Sequence, residues 1–348
     1  MKTVLLGCLL ALTGSSQALA QSSQLTGTIQ GLGDKPLIFR YEQKGVNHTD
    51  TVRATEGRFS YAVPASDDGQ VSLFISAPRY TSFWVEPGRL TATGNATRPH
   101  QLTITGTPEN NVLDAYHQTI EWKYERLRAA QPAASDQFSE AERVATLAFI
   151  KQHPGTLTAA ELLYWQSMRY DKQLPAYEAL YQQLTPAVQK SFQGQRVAKR
   201  LLVVRNQPVL GHPAPAFSIA DTAGQPVALA TYRGRYVLLD FWGHWCHPCM
   251  KAAPQVKAIQ EKYANSLTVI GIAAESAGSI LKWKQAIRAE RMNWVQLSEL
   301  RGADGPVTEG YNINAYPTYI LLDRQGIILA RANDMEAIEK KLLTLADL

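Results

Sequence analysis

Two cysteines stand three residues apart in Trp245-Cys246-His247-Pro248-Cys249, directly after the apolar run 236–242 and at the start of a helical pattern. On the first turn of a helix this spacing brings both sulfurs within reach of one disulfide. The helix dipole and its unpaired N–H groups stabilise a thiolate on the first of them. Thiol–disulfide exchange needs this geometry: Cys246 attacks as the more exposed sulfur, and Cys249, one turn in, resolves the mixed disulfide. A stapling bridge and a zinc site are the alternatives. So short a loop removes little unfolded-state entropy. Zinc would need His244, His247 and a distant third group to converge with the pair. No metal and no organic cofactor is therefore expected, and the redox centre is the Cys246–Cys249 pair itself. His247, between the cysteines, can stabilise the Cys246 thiolate further, while Pro248 stiffens the turn.

The elements that must position this pair read as an alternation. After the linker signals Asn206-Gln207-Pro208 and Gly211-His212-Pro213-Ala214-Pro215 come a hairpin at 217–229, a strand at 236–242, a helix at 246–263 and a strand at 267–274. A helix at 279–289, a short strand at 294–297, paired strands at 318–322 and 327–330 and a last helix at 335–345 follow. Strand and helix alternation with a final hairpin predicts an α/β sheet. Pro254 falls inside the 246–263 helix, where it removes a hydrogen bond and should kink the helix.

Further towards the N-terminus the periodicity changes twice. Residues 25–29, 37–41, 58–63, 71–75, 82–85, 90–93 and 102–105 are short β-branched or aromatic runs between Gly, Pro, Asn and Asp, which predicts a small β-sandwich. Asn47-His48-Thr49 and Asn95-Ala96-Thr97 fit the glycosylation acceptor pattern and read as loop residues. From 109 to 205 the spacing is helical, with about four helices. Leu113, Tyr116, Ile120, Tyr124 and Leu127 share one face of one helix. Ser139 with Glu142 and Thr158 with Glu161 have capping-box spacing, and Thr185-Pro186 reads as an N-cap with a first-turn proline. The aromatics Trp122, Tyr164, Trp165, Tyr170, Tyr177 and Tyr181 are expected in the core of this region. The expected organisation is a signal peptide at 1–20, a β-sandwich domain at 21–108, a helical region at 109–206 and an α/β domain at 207–348.

The leader reading rests on Lys2, the apolar stretch 3–12 and the small-x-small site Ala18-Leu19-Ala20. Cys8 follows Leu5-Leu6-Gly7, but lipoprotein cleavage there would leave almost no apolar segment for export, so lipidation is not expected. The apolar run is shorter than the ~20 residues that span a bilayer, and no transmembrane segment is expected in the mature chain. The expected location is outside the cytoplasm, in the periplasm or cell envelope. The chain has 348 residues, 45% of them hydrophobic and 19% charged, which excludes wholesale disorder. Its net charge of +5 is spread without a basic run, so no nucleic-acid or polybasic membrane footprint is visible.

Residues 208–348 resemble a thioredoxin-fold domain of the TlpA/ResA class, which are extracytoplasmic thiol–disulfide oxidoreductases. The resemblance is carried by the stretch Val237 to Cys249, by Pro254, by Tyr316-Pro317-Thr318 and by Leu321-Leu322-Asp323-Arg324-Gln325-Gly326. The β part with its Trp84-Val85-Glu86-Pro87-Gly88 turn and the helical part resemble the leading regions of many Gram-negative envelope thioredoxin-like proteins. The resemblance implies that Asp240, six residues before Cys246, is the buried acid beneath the disulfide. Desolvation between Leu239 and Phe241 would raise its pKa and equip it to move a proton to or from Cys249. A surface aspartate on a strand edge is the other reading. Some relatives place a glutamate shortly after the second cysteine; here that position is Ala252, which leaves the role to Asp240 or water. Pro317 is implied to be the cis-proline facing the disulfide, exposing the Tyr316 backbone to a substrate strand. Trp245, Tyr316 and Pro317 would then shape the substrate groove, with Tyr316 gating access to Cys246.

These readings converge on an exported thiol–disulfide oxidoreductase acting on protein thiols and disulfides, with a separate electron-exchange partner. A thiol peroxidase shares the fold, but the Pro-x-x-x-Thr-x-x-Cys pattern is missing around Cys246. The third class is an envelope binding or scaffold protein acting through residues 21–205, against which the intact Cys246, Cys249, Asp240 and Pro317 set argues.

Overall fold

The computed structural model describes residues 23–169 and 173–345; the expected leader, Cys8 and Tyr170 lie outside the described residues. Eight strands come first: β1 (Ser23–Gln30), β2 (Pro36–Gln43), β3 (Val46–Arg53), β4 (Arg58–Val63), β5 (Gln70–Ser76), β6 (Arg79–Trp84), β7 (Gly88–Asn95) and β8 (Thr103–Thr105). They form two four-stranded sheets, ordered β4-β1-β7-β8 and β3-β2-β5-β6. Period-2 alternation places Phe59, Tyr61 and Val63 of β4 inward. There they meet Leu37, Phe39, Val71 and Leu73 of the second sheet in one core. This is the expected sandwich.

One strand is new. β3 carries Asn47-His48-Thr49, so that triplet is strand, against the expected loop. Its sequence has no apolar face because it is an edge strand; the pairing with β2 and the turn at Lys44 and Gly45 hold it. Both turn residues have positive φ (54° and 70°), and their N–H groups donate to the Asp67 carboxylate at 3.0 and 2.8 Å. The second triplet begins at the last residue of β7 and runs into the following turn.

Seven helices follow: α1 (Pro108–Tyr116), α2 (Trp122–Ala130), α3 (Ser135–Gln152), α4 (Leu157–Arg169), α5 (Leu174–Gln183), α6 (Pro186–Lys190) and α7 (Phe192–Arg205). A π-turn, His117–Glu121, joins α1 to α2. The extra residue rotates the side chains after it by about 100°, so Tyr124 and Leu127 leave the face predicted for one helix. Tyr116 and Ile120 are buried, whereas Leu113, Tyr124 and Leu127 are only partly covered.

Two expected caps are also different. Ser139 lies inside α3, donating to the Ser135 carbonyl at 2.9 Å. At α4 the free N–H groups of Leu157 and Thr158 are taken by the Glu109 carboxylate (2.8 and 3.1 Å), while Thr158 accepts from the Trp84 indole at 2.9 Å. The long-range carboxylate joins a local cap that starts earlier than expected, in which Thr156 Oγ1 accepts from the Ala159 N–H at 3.1 Å. Thr185 does cap α6, accepting from Val188 N at 3.4 Å. Of the aromatics expected in the core, Tyr177 is buried, Trp122, Tyr164 and Tyr181 are half-buried, and Trp165 is 48% exposed.

The stretch read as one helical region is shared between two compact units. One runs to Leu162 and takes in Leu184–Gln193; the other holds Leu163–Gln183 and the chain from Gly194 onward. The second unit is built on a five-stranded sheet. Its elements are the hairpin β9 (Ser218–Ala220) and β10 (Pro226–Ala228), then β11 (Tyr236–Trp242), α8 (His247–Lys262), β12 (Leu267–Ala273), α9 (Ile280–Ala289), β13 (Val295–Leu297), α10 (Pro306–Gly310), β14 (Thr318–Leu322), β15 (Ile328–Ala332) and α11 (Met335–Leu342). The sheet order is β13-β12-β11-β14-β15, with β11, β12 and β13 parallel and β14 and β15 antiparallel to their neighbours.

Every residue of β11 is buried, because the central strand is covered on both faces. Leu238 and Trp242 pack with α8 and α11 through Val256, Ile259 and Ile338. Val237, Leu239 and Phe241 pack on the other face with Leu229, Val307 and Tyr311. Each such side chain contributes ~1.5–3 kcal/mol on burial, which fixes the strand that carries Asp240 and leads to Cys246.

Candidate active site

β11 ends at Trp242, and the chain turns through Gly243-His244-Trp245 before α8. The Cys246 N–H closes this turn on the Gly243 carbonyl at 3.0 Å. Gly243 is required by close approach: a Cβ there would lie 2.7 Å from the Trp245 ring. The indole is also fixed by its Nε1–H, which donates to the Ala274 carbonyl at 3.2 Å.

Cys246 occupies the N-cap of α8, and its Sγ accepts from the Cys249 N–H at 3.2 Å. That N–H would face a thiolate in the reduced protein, in addition to the helix dipole. The two sulfurs are bonded to one another, with the Cα atoms 5.2 Å apart. The expected difference in exposure is not found: Cys246 is 4% exposed and Cys249 5%. Both sit in the core cluster under α8, with the half-buried Tyr316 packed against it. The identity of the attacking sulfur therefore rests on the helix terminus and not on access. His247 and Pro248 follow at the exposed start of α8.

Asp240 is 5% exposed. It lies on the face of β11 shared by Leu238 and Trp242, which is the face of the cysteines, and is paired across the strands with Tyr319 and Gly271. Burial pushes its carboxyl up to about 7. The Tyr319 phenol is pushed up in turn, by burial first and then by the charge of Asp240. A carboxyl of this kind exchanges protons near neutrality.

The bond between Tyr316 and Pro317 is cis. The loop is tied down: Asn333 Nδ2 donates to the Pro317 carbonyl and to Thr318 Oγ1, both at 2.8 Å, and the Thr318 hydroxyl donates to the Ala315 carbonyl at 2.7 Å. The Tyr316 ring meets Trp245 edge to face at a centroid distance of 5.1 Å. Burial raises its phenol to about 12, with Asp304 adding and Thr308 opposing. Trp245 is 53% exposed, so the two rings form a half-open rim beside the disulfide.

Sequence reasoning missed Glu275. This residue follows β12, is 1% exposed, and grips His244 twice: Oε1 accepts from the His244 N–H at 2.7 Å and Oε2 from Nδ1 at 2.6 Å. From the sequence His244 reads only as a possible metal ligand. Its real partner fixes the turn two residues before Cys246. Among the described residues no group of three or more His, Cys, Asp and Glu is arranged to hold a metal ion.

A disulfide at the N-terminus of the helix after a central buried strand, with an acid on that strand and a cis-proline loop beside it, defines a thioredoxin-fold thiol–disulfide oxidoreductase. Comparison with known proteins agrees. Residues 210–331 match the AhpC/TSA family, and residues 23–113 match a domain of unknown function, DUF4369. Over 119 residues the chain is 32% identical to the thioredoxin-like protein YneN of Bacillus subtilis (strain 168), which covers 34% of this chain and 68% of that protein. The chain belongs to the thioredoxin-like protein family. It is also 27% identical over 126 residues to the thiol-disulfide oxidoreductase ResA of Bacillus thuringiensis subsp. konkukian (strain 97-27), covering 34% of the chain and 67% of ResA. A solved thiol-disulfide oxidoreductase from Bacteroides fragilis NCTC 9343 is 31% identical, with 38% of this chain and 97% of that one covered at a TM-score of 0.36.

Proposed function

We propose that the chain is an exported, periplasmic enzyme that exchanges disulfides with protein substrates through Cys246-His247-Pro248-Cys249, with residues 207–348 as the catalytic domain. The observation that carries the reading is the Cys249 N–H directed at Cys246 Sγ within a bonded pair above a buried acid. In the reducing direction the Cys246 thiolate attacks a substrate disulfide, forming one S–S bond and releasing one substrate thiolate. Cys249 then attacks Cys246 Sγ, which releases the second substrate thiolate and closes the internal disulfide. Asp240 takes the proton that Cys249 must lose, and Trp245, Tyr316 and Pro317 border the substrate groove. A second protein restores the dithiol, because the cycle consumes two electrons. Export is supported by the leader reading, and no helix among the described residues is long and apolar enough to cross a membrane.

The test is mixed-disulfide capture with the full chain. Cys249→Ser should accumulate adducts through Cys246, and Cys246→Ser should abolish exchange in an insulin-reduction assay. Adducts on the Cys246 variant alone would reverse the roles of the two sulfurs, and insulin reduction by the double variant at the parent rate would overturn the reading.

A further inference from the structure

The last two turns of α4 belong to the same unit as the thioredoxin-like sheet. Asn314 ties them to the segment before the cis-proline, its Nδ2 donating to the Met168 carbonyl at 2.9 Å. Between this helix end and that segment lies a cleft of ≈ 530 Å³, walled by Trp165, Arg169, Ala315, Thr318, Arg331 and Asn333. Ala315 and Thr318 flank Tyr316-Pro317, so the cleft borders the loop whose tyrosine leans on Trp245 beside the disulfide. The volume lies in the range of roughly 300–1,000 Å³ usual for ligand sites, which suits a short stretch of extended chain and is too small for a folded surface.

The lining chemistry is one-sided. Two guanidinium groups and one indole face the cleft, and among the described residues no carboxylate lines it. Arg331 is held in place by donating to the Tyr311 and Asn312 carbonyls at 2.6 and 2.5 Å, which fixes a positive charge at one wall. Arg169 is exposed and lines the same cleft, and Trp165, 48% exposed, adds an aromatic surface to its lining. Guanidinium groups select carboxylate side chains, and an indole binds the apolar backbone and side chains around them.

The geometry points to this cleft as the docking site for an acidic, extended segment of the protein whose disulfide is exchanged. The inference rests on the exchange reading above and adds the class of polypeptide that it favours. It also makes the end of α4, which precedes the thioredoxin-like domain in the chain, a specificity element of the redox site.

The experiment mixes the reduced full chain with an excess of one of three disulfides, so that each molecule reacts once and kcat/KM and KM are read from the dependence of the observed rate on disulfide concentration: glutathione disulfide, and two glutathione-capped cysteine peptides alike except for a flank of two glutamates or two lysines. In each turnover the Cys246–Cys249 dithiol gives two electrons and two protons to the peptide disulfide. The products are free peptide thiol, glutathione and the internal disulfide. The glutamate peptide should show a kcat/KM at least fivefold above the lysine peptide at low salt, with the ratio falling as salt is raised. Arg169→Glu should cancel or invert the ratio, and Trp165→Ala should raise KM for both peptides together. Equal kcat/KM for the two peptides, or a ratio untouched by Arg169→Glu, overturns the cleft while leaving exchange intact. Failure of the parent protein to reduce any of the three disulfides overturns the exchange reading and this inference together.

Discussion

Asp240→Asn separates the acid's role from its packing. The carboxyl is raised from 3.8 to about 7 in the folded protein by burial. At ~1.4 kcal/mol per tenfold change in proton affinity, the native state disfavours the charged form by about 4 kcal/mol. Between pH 4 and pH 7 the unfolded chain has released this proton and the native chain has kept it. Stability from this site therefore falls as pH rises, by about 1.4 kcal/mol per pH unit, and levels off above pH 7. An asparagine has the same shape and no such slope. The difference in unfolding free energy between Asp240→Asn and the parent should grow in favour of the variant by about 2 kcal/mol from pH 5 to pH 7. Urea titrations of the oxidised proteins, followed by tryptophan fluorescence, to which Trp242, Trp245, Trp283 and Trp294 of the thioredoxin-like unit contribute, measure it. In the same variant, closure of the mixed disulfide by Cys249 should slow near neutrality and recover as pH is raised. A stability difference that stays constant across pH 5–8 would refute the claim that Asp240 is buried as a neutral acid, and with it the proton-transfer role.

His247→Gly should lower the reduction potential by about 10–20 mV in a glutathione titration and raise the apparent pKa of Cys246. An exposed imidazolium beside the Cys246 thiolate is worth roughly 0.5–1 kcal/mol, and 30 mV corresponds to about 1.4 kcal/mol; an equal or higher potential would remove His247 as a tuning residue. Glu275→Gln keeps an acceptor for the His244 N–H but sets an amide NH₂ against Nδ1. The urea midpoint should drop by the equivalent of roughly 1–3 kcal/mol and insulin turnover should fall with it; a variant with the parent's midpoint and rate would show that the clamp does not position the Cys246 turn.

The thioredoxin-like half was legible because its signals are local. β11 reads as a continuous apolar run, and that is how a strand covered on both faces must read. Cys246 and Cys249 announce a helix start, and the observed helix begins one residue later. What was not legible is held by partners distant in sequence. β3 has no apolar face, since its neighbour β2 and the Asp67 side chain supply what the strand lacks. The start of α4 is capped by Thr156 together with Glu109, 48 residues from Leu157, so the Thr158 and Glu161 spacing marked the wrong residue. The π-turn between α1 and α2 leaves no compositional trace, because it inserts one ordinary residue into a regular pattern.

Two buried carboxyls close to the disulfide show why one was found and the other was not. Asp240 sits inside an apolar strand, and its sequence neighbours alone say that water is excluded; desolvation is the cause of its shift. Glu275 follows Ala273 and Ala274 at the end of β12, where a glutamate looks like the first solvent-exposed residue of a loop. Only the fold turns it inward, onto two donors of His244, 31 residues earlier. The different surroundings divide the work. Glu275 has donors that hold its carboxylate in one geometry, so it fixes the backbone that delivers Cys246. Exclusion of water raises the Asp240 carboxyl to about 7, which suits the proton transfer proposed for it as Cys249 cycles between thiol and disulfide. The two acids stand on β11 and just past the end of the parallel neighbour β12, and the proposed mechanism gives proton transfer to the first and positioning to the second. A change that hydrates Asp240 should weaken the second role without disturbing the first.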